Sequence, residues 1–193
     1  MVRWRRAERV RRHSWSTTPC WGRPERHGAT RTAPTSTSIS PRRTITTSTP
    51  LSAGVHGRLG TRNSPTLLNR VFGRSFFWDG RAGSLEDQAL GPIENPVEMG
   101  NTHQGMVESL SRIEGYRPYF AEAFGSPDIT KTKVAKAIAD YERTRISGNS
   151  PWDRWRRNRD QGAVSAEVKA GHELFFGKAA CNQCHLGPSF TDN

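Results

Sequence analysis

From Thr102 onward, apolar residues recur at helical spacing. Met106, Leu110 and Ile113 form one stripe and predict a helix from Thr102 to about Glu114. Val134, Ile138 and Tyr141 form a second and predict a helix from Thr130 to about Ile146. Val168, Gly171, Leu174 and Phe175 form a third. It predicts a helix capped by Ser165, reaching Phe176 and stopped by Gly177. Ser84 starts a shorter helix with Glu86 and Asp87 in its first turn, where the helix dipole favours acids, and Gly91-Pro92 predicts its end. Pro151 to Arg157 reads as a charged connector. Before Ser84 the pattern is loop-rich: Gly54, Gly57, Gly60 and Pro65 break any periodicity, Thr66 to Phe72 is one short apolar turn, and Phe76 to Arg81 is an aromatic cluster ending in a turn. No run alternates over strand length. The fold class expected is all-α with long loops.

Composition changes this picture at the N-terminal end. A chain of 193 residues is one domain or two small ones. Its apolar share of 33% is low, so part of the chain should not join a core. The net charge of +11 would ordinarily point to nucleic acid. Its distribution argues otherwise. Residues 1–50 hold 11 Arg and only two Glu, whereas the remainder holds 18 basic and 16 acidic residues. Those first 50 residues have 16 Ser or Thr, no Lys, Leu or Phe, and no apolar period. They are expected to be disordered, or an out-of-frame stretch foreign to the rest. No recognition fold accompanies the basic segment, so nucleic acid is not the expected partner. No apolar run is long enough for a signal peptide or a membrane span.

The chemistry concentrates near the other end. Cys181-Asn182-Gln183-Cys184-His185 has the spacing of a c-type haem attachment site. Two thiols add across the two vinyl groups of one haem, and the following His ligates the iron. Half of a zinc site is the first alternative, but it wants a second ligand pair and only Cys20 remains. A redox Cys-x-x-Cys pair is the second, but it wants a βαβ context that the pattern lacks.

Several further motifs precede the Cys pair in order: Asn63-Ser64-Pro65-Thr66-Leu67-Leu68-Asn69, Phe77-Trp78-Asp79-Gly80-Arg81-Ala82, Gln88-Ala89-Leu90-Gly91-Pro92-Ile93, Val97-Glu98-Met99, and Gly171-His172-Glu173-Leu174-Phe175-Phe176. Over residues 51–193 the chain resembles the bacterial di-haem cytochrome c peroxidases, MauG-type enzymes included. The resemblance implies two cytochrome c-like helical domains with one haem each. Residues 51–162 correspond to the peroxidatic domain and connector, and residues 163–193 to the start of the C-terminal domain. It implies reduction of hydrogen peroxide to water in the periplasm. Electrons would come from a small cytochrome or copper protein, and a homodimer is compatible.

The roles this resemblance implies fall on particular residues. Cys181 and Cys184 match the thioether positions of the electron-accepting haem, and His185 its proximal iron ligand. Glu98 matches the carboxylate above the peroxidatic iron, where it can move a proton between the peroxide oxygens. Gln88 matches its polar neighbour, and Trp78 the tryptophan between the haems. By composition alone Glu98 would be a loop acid, Gln88 a solvated helix residue and Trp78 a core aromatic beside Phe76 and Phe77. Asn63 matches a calcium ligand, although an Asn in a loop is ordinarily a turn former. His56 lies near a distal haem ligand of some members. His103 and His172 read as helix caps or decoration.

The departures are as informative. The first haem motif belongs roughly where Thr35 to Ile39 stand, and it is absent. The chain therefore carries one attachment motif where the family has two, and reads as an incomplete fragment. Met99 and Met106 are the internal candidates for a second axial ligand. A mono-haem electron carrier and a MauG-like oxidase of a partner protein are the alternatives to the peroxidase.

Overall fold

The computed structural model describes residues 50–187 and 189–191, all within one compact unit. The expectations for residues 1–49 lie outside the described residues. Among the described residues six α-helices follow in order: α1 (Leu85–Glu94), α2 (His103–Ser111), α3 (Tyr116–Phe124), α4 (Lys131–Arg143), α5 (Pro151–Asn158) and α6 (Ala166–Phe176). Short 3-10 turns at Val55–Gly57, Arg70–Phe72 and Cys181–Gln183 punctuate the loops. Extended pairing among the described residues is limited to two isolated bridges, Ala53 with Leu59 and Phe76 with Ala82. The all-α expectation holds.

Helix starts follow capping chemistry. Ser84, Thr102, Thr130, Ser150 and Ser165 each accept a hydrogen bond from a backbone N–H of the first turn. The stop expected at Gly91-Pro92 does not occur: α1 continues to Glu94, with Pro92 inside its last turn. Ile93, 2% exposed, anchors that turn in the core. The burial offsets the one backbone bond that the proline removes.

Two helices were not expected. α3 contains Pro118 in its first turn, where an N–H has no helical acceptor. The connector from Pro151 is α5, started by a capping box in which Ser150 and Asp153 bond each other's backbone N–H.

α1 packs along α4, and α2 packs against both. The main core joins Ile93, Met106, Leu110, Phe120, Ile129 and Val134. A second cluster joins Phe76, Ala82, Leu85 and Ala139. Met106 is 0% exposed, so it serves as core packing. The expected stripes are only partly inward. Ile113 and Tyr141 are exposed, and α4 instead buries Ala135 and Ala139 against its neighbours. Small side chains let the backbones approach closely, and the larger apolar residues fall outside that contact.

Candidate functional site

The first group of candidate residues sits at the end of α1. Gln88, half-buried, lies on α1, and the loop after it carries Glu98. That loop is pinned twice at its base: Glu98 N–H donates to Asn95 O (3.0 Å), and Met99 N–H donates to Pro92 O (3.2 Å). A third bond reaches from the N-terminal loop, where Val55 N–H donates to Glu98 O at 2.8 Å. Gly54 makes this approach feasible, since a Cβ there would lie 1.7 Å from Val97 O. His56 therefore stands one residue from the backbone that holds Glu98. It is exposed, in the left-handed region at φ 57.

Burial raises the Glu98 carboxyl above the ordinary range, and the Arg81 charge opposes this. A carboxyl so placed holds its proton more readily than a solvated one, which suits proton transfer. Arg81 was missed from sequence. It also bonds Asp79 at 2.7 Å and lies over the Phe77 ring at 3.5 Å.

The second group joins Trp78 and Asn63. Trp78 is 63% exposed, so the core reading fails; Phe76 takes the buried position, 6% exposed. The Phe76–Ala82 bridge and positive φ at Phe77 and Gly80 turn the loop so that Trp78 projects outward. Its indole Nε1–H donates to Asn63 O at 2.7 Å. Around it, Asp79 pairs with both Arg62 (3.7 Å) and Arg81. The Arg81 hydrogen bond lowers the Asp79 carboxyl below its usual range.

The third group is the Cys turn. Cys181 and Cys184 are free thiols at the start and cap of one 3-10 turn; Cys184 is exposed and Cys181 half-buried. His185 Nδ1 lies 3.0 Å from Phe190 O. With Nδ1–H donating to that carbonyl, Nε2 is the nitrogen left for a metal. Val168, Leu174, Phe176 and Leu186 are all exposed apolar residues near this turn in sequence. The expected inward face of α6 is therefore largely outward, which suits a flat apolar macrocycle as its cover. Two free thiols on one turn, a His with its tautomer set and uncovered apolar surface fit a covalently attached haem. Among the described residues, no group of three or more His, Cys, Asp and Glu can hold a bare metal ion.

Behind the turn lies an aromatic cluster that sequence reasoning missed. His172 was expected as helix decoration. Its side chain is only 11% exposed, and it packs on Trp152, Trp155 and Phe176 at ring separations of 5.5, 5.2 and 4.6 Å. His103 does stand at a helix start, where its ring meets Glu94 Oε1 and Leu90 O, each at 3.1 Å.

Comparisons with known proteins establish the family. Residues 39–161 match the family model of the di-haem cytochrome c peroxidases. The methylamine utilization protein MauG of Methylorubrum extorquens is 45% identical over 133 residues, covering 68% of this chain and 37% of that protein. Cytochrome c551 peroxidase of Nitrosomonas europaea is 38% identical over 138 residues, covering 72% of this chain and 41% of that protein. The chain thus spans about two fifths of the length of these curated relatives. Among solved structures, a MauG-like protein associated with microbial copper homeostasis superposes with a TM-score of 0.65 at 29% identity, covering 74% of this chain and 44% of that one. With most of its described residues inside the matched segment, this chain belongs to the di-haem cytochrome c peroxidase family.

Proposed function

We propose that the protein reduces hydrogen peroxide to water, with electrons accepted at a c-type haem held by Cys181, Cys184 and His185. The observation that carries this reading is the Glu98 carboxyl, partly removed from water and fixed through its own backbone by Val55 and Asn95. When bound, haem supplies the reversible one-electron couple that no side chain here offers. The chain's own residues supply position and protons. His185 presents Nε2 because Phe190 O takes its other ring N–H. Glu98 accepts a proton from one peroxide oxygen and returns one to the other, and two electrons and two protons complete the conversion of peroxide to two waters. Gln88 offers an amide that can orient peroxide beside Glu98. Trp78 is the proposed link between the two haem sites. Asn63, beside it, is proposed as a calcium ligand through its side-chain oxygen. His56 is proposed as the distal ligand at the peroxidatic site. The periplasm is the proposed compartment, with a small cytochrome or copper protein as donor.

The test is peroxide turnover by the haem-loaded protein, with covalent haem counted by pyridine haemochrome. Glu98→Gln should keep its haem and lose about 100-fold or more in turnover. Turnover retained at full haem content refutes the assignment. A MauG-like activity would instead show as peroxide-dependent oxidation of a partner protein.

A further inference from the structure

α5 carries two unlike faces. Trp152 and Trp155 pack together at 5.3 Å and lean on His172, and Trp152 also meets Phe190 at 5.3 Å. Phe190 contacts Phe175 at 5.7 Å, and Phe175 contacts His185 at 6.2 Å. An unbroken run of rings therefore leads from α5 to the proposed iron ligand. Electron tunnelling falls steeply with each gap, so a packed aromatic path marks where a donor would best approach.

The remainder of α5 is basic. It carries Arg154, Arg156 and Arg157, and Arg159 caps it; all but Arg154 are exposed. Arg143, by contrast, is matched by Glu86 and Asp140, and Arg81 by Asp79. None of these four is ion-paired among the described residues. Arg154 bonds the Asn149 carbonyl, and Arg156 lies over Trp155 at 5.5 Å. The neighbouring acids are bonded to local structure, Asp153 to the Ser150 capping box and Asp160 to the Gly162 N–H, and only Arg157 also feels the Asp153 charge.

We infer that the exposed arginine face of α5 is the docking surface for an acidic electron-donor protein, which delivers electrons along the Trp152–Phe190–Phe175–His185 path. This rests on the proposed electron-accepting role of the haem at His185. Exposed guanidinium groups attract carboxylates over a Debye length and orient the encounter.

The experiment uses the haem-loaded protein and two small c-type cytochromes of similar potential, one acidic and one basic. Oxidised cytochrome is titrated calorimetrically to measure binding. Reduced cytochrome is mixed by stopped flow to measure electron delivery, each rate divided by that with uncharged hydroquinone. The acidic cytochrome should bind more tightly and deliver faster, with both advantages fading between low and high salt. R156E/R157E should lower the acidic donor's relative rate about tenfold at low salt, and the milder R156Q/R157Q should fall between. Wild-type binding and salt dependence in both variants would overturn the inference. So would a preference for the basic cytochrome, or charge-dependent binding only to anionic lipid vesicles. Hydroquinone-driven peroxide turnover tests the peroxidase reading separately. Its absence would sink that reading while the binding titration still decides this one.

Discussion

Glu142 offers a sharp test of the fold's energetics. It is the one acid in the buried set of described residues, 5% exposed on α4, one turn beyond the close-packed Ala139. Burial pushes its carboxyl from 4.5 up to about 7, and the Arg70 and Arg143 charges moderate the rise. Arg143 is engaged bidentately by Glu86 at 2.9 Å and by Asp140 at 2.8 Å, so it offers Glu142 only its field. Arg70 is tied to Ser75 O at 2.9 Å and lies over Phe76. The folded chain therefore holds the Glu142 proton more tightly than the unfolded chain. Its contribution to stability is fully present below about 4.5 and is lost as pH rises through about 7. Fully expressed, that difference is worth about 3 kcal/mol. Glu142→Gln keeps the shape and removes the ionisation. Urea unfolding of wild type and variant, followed by tryptophan fluorescence across pH 5 to 8, reads the effect. The variant should gain on wild type progressively through that interval, approaching about 3 kcal/mol at its alkaline end. A difference between the two proteins that stays constant with pH would refute the reasoning.

Other perturbations probe other links. Gly54→Ala places a methyl group against Val97 O and should free the Glu98 loop, lowering peroxide turnover more than haem content; equal losses in both would argue for global unfolding. Ser150→Ala removes the α5 cap and should cost about 1 kcal/mol in urea unfolding, a figure that Ser150→Thr should largely avoid. Met106→Ala empties a fully buried site in the main core and should cost about 2–5 kcal/mol by the same measurement.

Much of this protein is legible from local chemistry. A Ser or Thr cap requires only neighbours in sequence, so Ser84, Thr102, Thr130 and Ser165 mark four helix starts correctly. The Cys181–His185 spacing is enough to propose haem attachment, because two thiols and an imidazole must reach one macrocycle. A breaker misleads where position within a helix matters: Pro92 lies inside α1, tolerated in its last turn. The tertiary structure decided what depends on residues far apart in the chain. It held the Glu98 backbone with Val55, turned Trp78 outward onto Asn63, and set the His185 tautomer through Phe190. It also buried Glu142 and packed His172 among aromatic rings, where local pattern reads a polar helix residue and a surface ornament. Hydrogen-bond partners and burial arise from the meeting of distant segments. Spacing along one segment carries the chemistry of a motif but not its environment, and environment decides which proton moves and which side chain an approaching partner meets.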